Sequence, residues 1–364
     1  LYYEAEIALE FALGRAVAAS VPWEPRGVGR YRLPITALTW ASQVVFGALE
    51  KQTVTAAGAT FDVTILDGPR KLGEAGVERW LETAADTVAG LYGRFPTERM
   101  QVVVLPFPGG GGPVYFGVAL RGGGPSVRLL VSSEAPDYAF PGEWVAIHEF
   151  LHHGMPFVEK TEAWLSEGLV TYYTEVLRTR RGFRSEQAGW QALHDGFARG
   201  RRDGCGQALA DASRDMHETH SYQRVYWSGA ALALLADVAL RTGSEPARAG
   251  DDGGGGAAPE PGAGPSGSGQ ARSLDAAMRH LLDCCAKRPR IWSAAEVLAE
   301  LDRWAGRRLF SELAGLWLGR ADFPEVAPVY RKLGLDVIDG VVTIRQSAPA
   351  ADVRRAIFAR PGSK

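Results

Sequence analysis

The first part of the chain alternates apolar and polar positions with a period of two. Glutamates alternate with alanine and isoleucine within Tyr3–Phe11, and β-branched and apolar stretches recur through Ser42–Leu66. This alternation is typical of half-buried strands, and Asp67-Gly68-Pro69 is a turn signal where it stops. The first seventy residues are therefore predicted to be mostly strand.

Helical spacing replaces the alternation after this turn. Apolar residues recur three and four positions apart between Trp80 and Val88, within a helix predicted at Gly73–Phe95. Two strands are predicted next, at Met100–Leu105 and Val127–Ser132. The glycine-rich segment between them is predicted to be a loop.

From Pro141 onwards the pattern is helical, and the last strands are predicted at Leu335–Gln346, where they end the chain. The pattern as a whole predicts an α+β protein with a β-rich N-terminal domain and a mainly helical C-terminal half. Seven helices are predicted, near Pro141–Gly154, Glu162–Arg181, Ser185–Arg199, Ser221–Arg241, Ser273–Ala286, Ser293–Ala305 and Arg308–Leu318.

One segment interrupts these helices. Gly243–Gln270 is rich in Gly, Pro, Ala and Ser. Such a composition buries too little apolar surface to offset the entropy lost on ordering. Residues 242–271 are therefore predicted to be a flexible insertion.

Composition narrows the class of protein. The chain has 364 residues, of which 46% are hydrophobic and 23% charged, with a net charge of −2. This is the balance of a soluble globular protein of two or three domains, and it gives no reason to expect nucleic acid or an anionic membrane as a partner. The longest apolar runs are too short to span a bilayer. Because the sequence begins at Leu1, the N-terminal domain is expected to be incomplete, and a leader or upstream domain would not be visible.

Cysteine is sparse, with only Cys205, Cys284 and Cys285. Neighbouring cysteines rarely pair with each other, so no disulfide framework is predicted. Cys284 and Cys285 fall in a helical stretch with His280, but adjacent residues cannot share a helix face. We interpret them as structural residues rather than metal ligands.

The segment WVAIHEFLHHGMPFVEKTEAWLSEGLVTYY, Trp144–Tyr173, carries the candidate chemistry. His148 and His152 are four apart, so on a helix both imidazoles can reach one metal ion, and Glu149 can reach a metal-bound water. Apolar residues around them, among them Trp144, predict a buried stripe. A buried glutamate between two histidines would be unfavourable without a metal or other partners.

Catalytic zinc usually takes three protein ligands and a water. The best third candidate is Glu167, because the fourteen residues after His152 suit a chain reversal and a second, antiparallel helix. Glu162 falls near the start of that second helix and Glu159 in the connection, so both are less suited.

Other histidines nearby are weaker candidates. His153 points about 100° away from His152 on a helix. It is therefore predicted either to contact the metal-binding side chains without binding the metal, or to lie on the surface. His217-Glu218-Thr219-His220 is polar and is predicted to be a loop without a metal.

These residues resemble a known group of enzymes. HEFLHH followed by WLSEGLVTYY resembles the gluzincin metallopeptidases, which share a thermolysin-like catalytic domain. Tyr226-Trp227-Ser228-Gly229 is similar to their Tyr-x-x-Gly helix. SLDAAMRHLL, Glu296–Gly306 and FSELAGLWLGRADFPEVAPVYRKLGL resemble the closing helical part of the glycyl aminopeptidase family, which is related to the leucyl and alanyl aminopeptidases. The resemblance extends from about Leu91 to Leu335.

The resemblance implies one Zn²⁺ ion, bound by His148, His152 and Glu167. It also implies that Glu149 is the general base and that Tyr226 stabilises the transition-state oxyanion, with Tyr222 as a weaker substitute. The implied substrate is a peptide or protein, and the strand at Val127–Ser132 is expected to pair with its backbone.

The resemblance also suggests a division of the chain. It runs as residues 1–70, a β-rich N-terminal domain; 71–241, a thermolysin-like zinc catalytic domain; 242–271, the insertion; 272–335, the C-terminal helical part of the catalytic region; and 336–364, C-terminal strands and tail.

One feature departs from the family. In these aminopeptidases a glycine-rich stretch before the zinc helix supplies a glutamate that holds the substrate's free amine. The corresponding stretch here, Phe116–Gly124, contains no acid, and Glu134 and Asp137 do not match the motif. A zinc peptidase is therefore the leading hypothesis, with exopeptidase and endopeptidase activity both open.

Two alternatives remain beside it. One is a binding or scaffold protein that retains the peptidase fold without catalysis, and the other is a purely structural pair of helices without a metal. The oligomeric state is not predicted. A bacterial envelope, periplasmic or secreted location is expected from the family's habits, with the cytoplasm as the alternative.

Overall fold

The computed structural model describes residues 6–109, 111–204, 206–245 and 272–360. They fall into two compact units. The first comprises Leu1–Phe157 and Leu281–Ile291, and the second comprises Val158–His280 and Trp292–Lys364. Residues 246–271 of the predicted insertion lie outside the described residues, and the domain boundaries drawn from the sequence stay a prediction. No described helix has the length and apolar character needed to cross a membrane.

Seven strands lie between residues 6 and 65 of the described chain, which agrees with the period-two pattern. Strands β1, β4 and β3 form an antiparallel sheet, and β2 pairs with β5. A small apolar cluster that includes Trp23 and Leu33 is buried in this region. The strands are β1 Glu6–Glu10, β2 Ala18–Ser20, β3 Glu24–Gly27, β4 Arg30–Pro34, β5 Val45–Gly47, β6 Glu50–Ala56 and β7 Ala59–Ile65.

A five-stranded sheet forms the centre of the first unit. Its order is β6-β7-β8-β10-β9, with β8 parallel to both neighbours and β9 antiparallel to β10. The central strands are fully buried at Val102, Val104, Val127 and Leu129, as expected for strands covered on both faces. The further elements here are α1 Glu74–Tyr92, β8 Arg99–Phe107, β9 Val114–Leu120, β10 Ser126–Ser132 and α2 Trp144–His152, and the short strand β11 Phe157–Val158 falls at the boundary of the unit in the sequence.

Two details of the first unit correct the predictions. The glycine-rich segment is not only a loop, because Val114–Leu120 forms strand β9. The surrounding glycines favoured a loop, but a glycine in a strand often marks a close approach by another element. Trp144 is 46% exposed rather than part of the buried stripe, because it is the first residue of α2 and has no preceding turn to pack on.

The second unit is mainly helical, so the predicted α+β class is confirmed. Helices α3, α4 and α7 form its centre, and β13 and β14 form a hairpin. Its elements are α3 Ala163–Arg180, α4 Glu186–Arg202, α5 Leu209–Arg214, α6 Met216–Thr219, α7 Tyr222–Thr242, α8 Leu274–Leu281, β12 Ile291–Trp292 (which starts at the boundary of the unit in the sequence), α9 Ala294–Ala305, α10 Leu309–Trp317, α11 Ala327–Leu333, β13 Leu335–Ile338, β14 Val341–Ile344 and α12 Ala351–Phe358.

A buried charged network joins three of these helices. The hydroxyl of Tyr172 donates to Asp237 at 2.9 Å, and Arg241 pairs with Asp237 at 2.8 Å. Asp275 accepts from the Tyr173 hydroxyl at 2.9 Å and pairs with Arg180 at 3.0 Å. Each carboxylate is thus hydrogen-bonded and faces a guanidinium, which is what buried charges require.

Three predictions for the helical half are wrong in detail. The chain does not end in strands, because α12 follows the hairpin; its pattern is broken by Arg354, which is fully buried and bonds Glu186 and two backbone carbonyls. The stretch around His217 is a short helix rather than a loop. The predicted helix at Ser273–Ala286 ends as a helix at Leu281 and continues as a π-helical turn.

The two adjacent cysteines also differ from expectation. Cys284 and Cys285 form a disulfide bond with each other inside the π-helical turn Leu282–Ala286. The prediction that neighbouring cysteines would not pair is therefore wrong. It rested on the rarity of bonds between neighbouring cysteines; this pair lies in a π-helical turn rather than a regular α-helix, in which successive side chains diverge by about 100°.

Candidate metal site

Helix α2 positions two histidines on one buried face. The helix is capped by Glu143, whose carboxylate accepts from the backbone N–H groups of Val145 and Ala146 at 2.7 and 3.2 Å. His148 and His152 lie one turn apart, with ring centroids 5.0 Å from each other, and both are less than a tenth exposed. The predicted pairing of the two imidazoles on one helix face is present in the structure.

Glu149 lies on the same helix against strand β9. It is 8% exposed. The strand approaches it at Gly117, where an added Cβ would lie 2.5 Å from Cγ of Glu149 and 2.6 Å from Cγ1 of Val145. Glycine at this position therefore sets the separation between strand and helix, and with it the room available to the Glu149 carboxylate.

In the second unit a close helix crossing positions Glu167 and Tyr226. Helices α3 and α7 meet at Gly168 and Gly229, where a Cβ on Gly168 would lie 2.3 Å from the Cα of Gly229. Glu167 precedes the first of these glycines directly, and Tyr226 lies three residues before the second. Two glycines thus allow the backbones to touch next to both candidate side chains.

His148, His152 and Glu167 offer a set of possible metal ligands. One nitrogen of each histidine and one carboxylate oxygen of Glu167 lie within 4.8 Å of one another. Two imidazoles and a carboxylate are a donor set of catalytic zinc sites, and the burial of the histidines suits a site shielded from bulk water. The residues present therefore fit a zinc ion.

A second potential ligand group is already committed to other bonds. His280 Nε2 lies 2.7 Å from a carboxylate oxygen of Glu300, and Cys284 is bonded to Cys285. A disulfide sulfur is not the thiolate that metals bind. Among the described residues, the histidines of the 217–220 stretch belong to no such group.

The competing acids are placed elsewhere. Glu162 accepts a hydrogen bond from the backbone N–H of Ala294 at 2.6 Å and so caps α9, while Glu159 is exposed. Tyr222 bonds its hydroxyl to His217 Nδ1 at 3.3 Å. Tyr226 is half-buried, and its ring centroid lies 6.5 Å from that of Tyr222.

His153 is buried at 6% exposure, so the surface alternative for it is wrong. Burial, then the positive charge of Arg121, then His152 hold the pKa of His153 well below its usual range. Its ring makes a hydrogen bond with the backbone of Ser126, while Nε2 has no hydrogen-bond partner among the described residues. His153 is therefore a buried side chain next in sequence to the candidate ligand His152.

Arg121 is a residue that sequence reasoning missed. It follows β9 directly, and its Nη1 donates to the carbonyl oxygens of His152 at 2.6 Å and Met155 at 2.7 Å. A cation on these carbonyls complements the C-terminal end of the α2 dipole. Little in the sequence indicated this role, because a single arginine after a glycine-rich stretch can make many different contacts.

The strand expected to pair with substrate is not available. Strand β10 is bonded to β8 on one side and β9 on the other, so the expectation for Val127–Ser132 is wrong. Strand β9 is an edge of the described sheet. Its run of apolar and aromatic residues from Val114 to Leu120 could have identified it.

Comparisons with known proteins found similarity to solved structures, but no match to a family model or to the sequence of a curated protein. An aminopeptidase N family protein from Idiomarina loihiensis matches with a TM-score of 0.63 and 17% identity, over 88% of this chain and 56% of that chain.

Two further matches are M1 zinc metallopeptidases from Deinococcus radiodurans. A mutant bound to Tyr-Ser-Ala gives a TM-score of 0.53 at 15% identity, over 88% of this chain and 65% of that chain. Another structure gives 0.52 at 17% identity, over 88% and 64%. The chain thus spans between 56% and 65% of the length of these three proteins. At such identities the likeness is one of fold, and the chain has the fold of the M1 zinc metallopeptidases, as its resemblance to the gluzincin aminopeptidases implied.

Proposed function

We propose that this chain is a zinc-dependent metallopeptidase. The observation that carries the proposal is the set His148, His152 and Glu167, whose ligand atoms lie within 4.8 Å of one another. Glu149 lies on the same helix as both histidines. The fold shared with M1 zinc metallopeptidases supports the same class of chemistry.

Zinc held by these residues would supply a water of pKa about 7, in place of 15.7 for bulk water. As a general base, Glu149 would accept a proton from the attacking water and would return a proton to the leaving amine. Its buried position excludes competing solvent, and the approach of Gly117 limits the positions that its carboxylate can occupy.

Tyr226 donates a hydrogen bond to the oxyanion that forms as the peptide carbonyl is attacked. Removing one donor of this type typically lowers turnover about 10²–10³-fold. Its placement on α7, next to the crossing at Gly229, supports a fixed position for the hydroxyl.

An extended peptide would bind along the edge strand β9. Its backbone groups on the side away from β10 are not used by another described strand, which is the usual basis of strand addition. Gly117 is on this strand opposite Glu149, so a peptide paired here passes the general base.

We favour aminopeptidase activity over cleavage within a chain. An M1 zinc metallopeptidase mutant from Deinococcus radiodurans is bound to the peptide Tyr-Ser-Ala, and a two-domain M1 zinc metallopeptidase mutant is bound to the free amino acid L-arginine. Against this, the stretch Phe116–Gly124 lacks an acid to hold a free amine, so endopeptidase activity is the competing proposal.

The test is mass-spectrometric mapping of cleavage by the zinc-loaded protein on matched peptides, free and acetylated at the N-terminus. Cleavage of free peptides alone, one residue at a time, supports an aminopeptidase. Internal cleavage of both sets supports an endopeptidase. If neither set is cleaved, the peptidase proposal fails and a binding protein with this fold takes its place. Glu149→Gln is the control for a contaminating protease.

A further inference from the structure

Trp144 is a large apolar side chain that stays half exposed beside a candidate metal ligand. It is 46% exposed, whereas all the residues that follow it in α2 are buried. Its ring centroid lies 5.7 Å from that of His148, and the two ring planes are nearly perpendicular, at 85°. A single exposed aromatic residue is common on protein surfaces. This one is distinguished by its contact with a side chain that is proposed to bind zinc.

The order of residues around α2 shows which way His148 faces. Successive residues of an α-helix point about 100° apart. Phe150 packs against Phe61 of the inner strand β7, with ring centroids 5.5 Å apart. Glu149, one position earlier, meets Gly117 of the edge strand β9. His148 is one further position round the helix in the same sense, so it points past β9, on the side of the free edge of the sheet.

Trp144 shares this direction. Residues four apart on a helix lie above one another on nearly the same face, so Trp144 points the same way as His148. The two residues are separated by about 6 Å along the helix axis. A peptide that pairs with the free edge of β9 turns every second side chain towards α2. One of these side chains therefore meets the ring of Trp144.

The chemistry of the ring decides which substrate side chain fits there. Aromatic side chains pack on each other edge to face or in offset stacks, and such contacts add to the gain from burial. A large aliphatic side chain gains from the burial of apolar surface alone. A charged side chain would lose part of its hydration against the indole without gaining an ion pair from it.

We propose that Trp144 is a specificity-determining residue, whose ring packs against an aromatic or large apolar side chain of a peptide bound along β9. Because Trp144 is within about 6 Å of His148 along α2, this side chain belongs to a residue close to the bond at the metal. The inference rests on the proposed peptidase function, since it places the peptide on the same edge strand. It adds the class of substrate that the site prefers.

The first test measures binding rather than turnover. The zinc-loaded Glu149→Gln chain, which should not cleave, is titrated by calorimetry with tetra-alanine and with the four peptides in which one alanine is replaced by phenylalanine. The titrations are repeated after adding Trp144→Ala or Trp144→Phe to this chain. The matched control is Phe46→Ala, which removes an aromatic side chain of similar exposure, 49%, from strand β5.

At one position at least, phenylalanine is expected to bind roughly tenfold more tightly than alanine, and Trp144→Ala should reduce this gain to roughly twofold or less. Trp144→Phe should keep most of the gain, because an aromatic ring remains, and Phe46→Ala should keep all of it. The proposal is overturned if no position shows a gain, if Trp144→Ala keeps it, or if Phe46→Ala loses as much. Loss of zinc from the Trp144→Ala chain would also overturn it, because Trp144 would then support the metal rather than the substrate.

The second test separates this proposal from the proposed function. The chain with Glu149 intact is given the same five peptides, and kcat/KM is measured for each. A binding preference that depends on Trp144, without cleavage of any peptide, would contradict the peptidase function and leave the assignment of Trp144 standing. Cleavage of all five peptides with equal kcat/KM would support the peptidase function and contradict the role of Trp144.

Discussion

Gly117 on strand β9 and Glu149 on helix α2 approach so closely that no side chain fits between them. A Cβ on Gly117 would lie 2.5 Å from Cγ of Glu149 and 3.0 Å from its Oε1. Atoms at 2.5 Å overlap, so either the strand or the glutamate must move when Gly117 is replaced. The position of the proposed general base therefore depends on a glycine in a neighbouring strand.

Replacing Gly117 by Ala is expected to lower kcat by about 10²-fold, because a displacement of about 1 Å in the catalytic geometry has effects of this size. Zinc content should stay at the wild-type level, since no proposed ligand is changed. Gly112→Ala is the control, because a Cβ there meets only one backbone atom, at 3.9 Å. Wild-type turnover in the Gly117 variant would show that the strand does not constrain Glu149.

The crossing of α3 and α7 should tolerate substitution poorly. A Cβ on Gly168 would lie 2.3 Å from backbone of the facing helix, which cannot rotate away as a side chain can. We expect Gly168→Ala to lower the free energy of unfolding by about 1–3 kcal/mol, as overpacking does. Denaturant titration measures this. Gly90→Ala on α1 has open space around it and should be neutral or stabilising; similar losses in both variants would contradict the account.

Tyr226→Phe separates a catalytic role from a packing role, because the ring is retained and only the hydroxyl is lost. We expect kcat to fall about 10²–10³-fold with little change in KM. Tyr222→Phe is the matched control, since its hydroxyl contacts His217 instead. Steady-state kinetics on one peptide compares the two. Equal effects in both variants would remove the distinction between these tyrosines.

The stability of the second unit is expected to depend on pH through the carboxyl group of Asp275. Burial raises the pKa of this carboxyl, but the charges of Arg180 and Arg241 and the hydrogen bonds from Arg180 and Tyr173 outweigh it, so the pKa lies below its usual range. A lowered folded-state pKa means that the stabilisation is complete above the unfolded pKa of about 3.9 and is lost as pH falls through the folded value.

Asp275→Asn should therefore lower the free energy of unfolding at neutral pH by about 3–5 kcal/mol, because buried guanidinium groups lose their partner. The loss relative to wild type should shrink as the pH is lowered through the acid range. Asp211→Asn removes an exposed pair with Arg214 and should change stability by less than about 1 kcal/mol. A difference from wild type that does not vary with pH would contradict this reading of Asp275.

The sequence alone predicted the parts of the site that depend on local spacing. His148 and His152 share a helix face by their separation of four, and Glu167 follows from the length of chain needed to reverse and start a second helix. Both inferences use only helical geometry, which the burial of these segments does not change.

What was missed depends on contacts between segments distant in sequence. Strand β9 was not predicted because glycine at position 117 favours a loop. Its role in the strand is apparent only once Glu149 is known to pack against it. Arg121 is informative only once its carbonyl partners on α2 are known. Helix α12 was missed because Arg354 is polar in sequence yet fully buried through long-range hydrogen bonds.

The most direct test of the central claim is the zinc content of the purified chain, measured by elemental mass spectrometry after dialysis against metal-free buffer. We predict about one zinc ion per chain in the wild type, from three protein ligands, and strongly reduced zinc in Glu167→Ala. Glu159→Ala, which removes an exposed acid from the same connection, should keep the wild-type content. A wild-type chain that does not retain zinc, or a Glu167 variant that retains it as fully as the Glu159 variant, would contradict the proposed site.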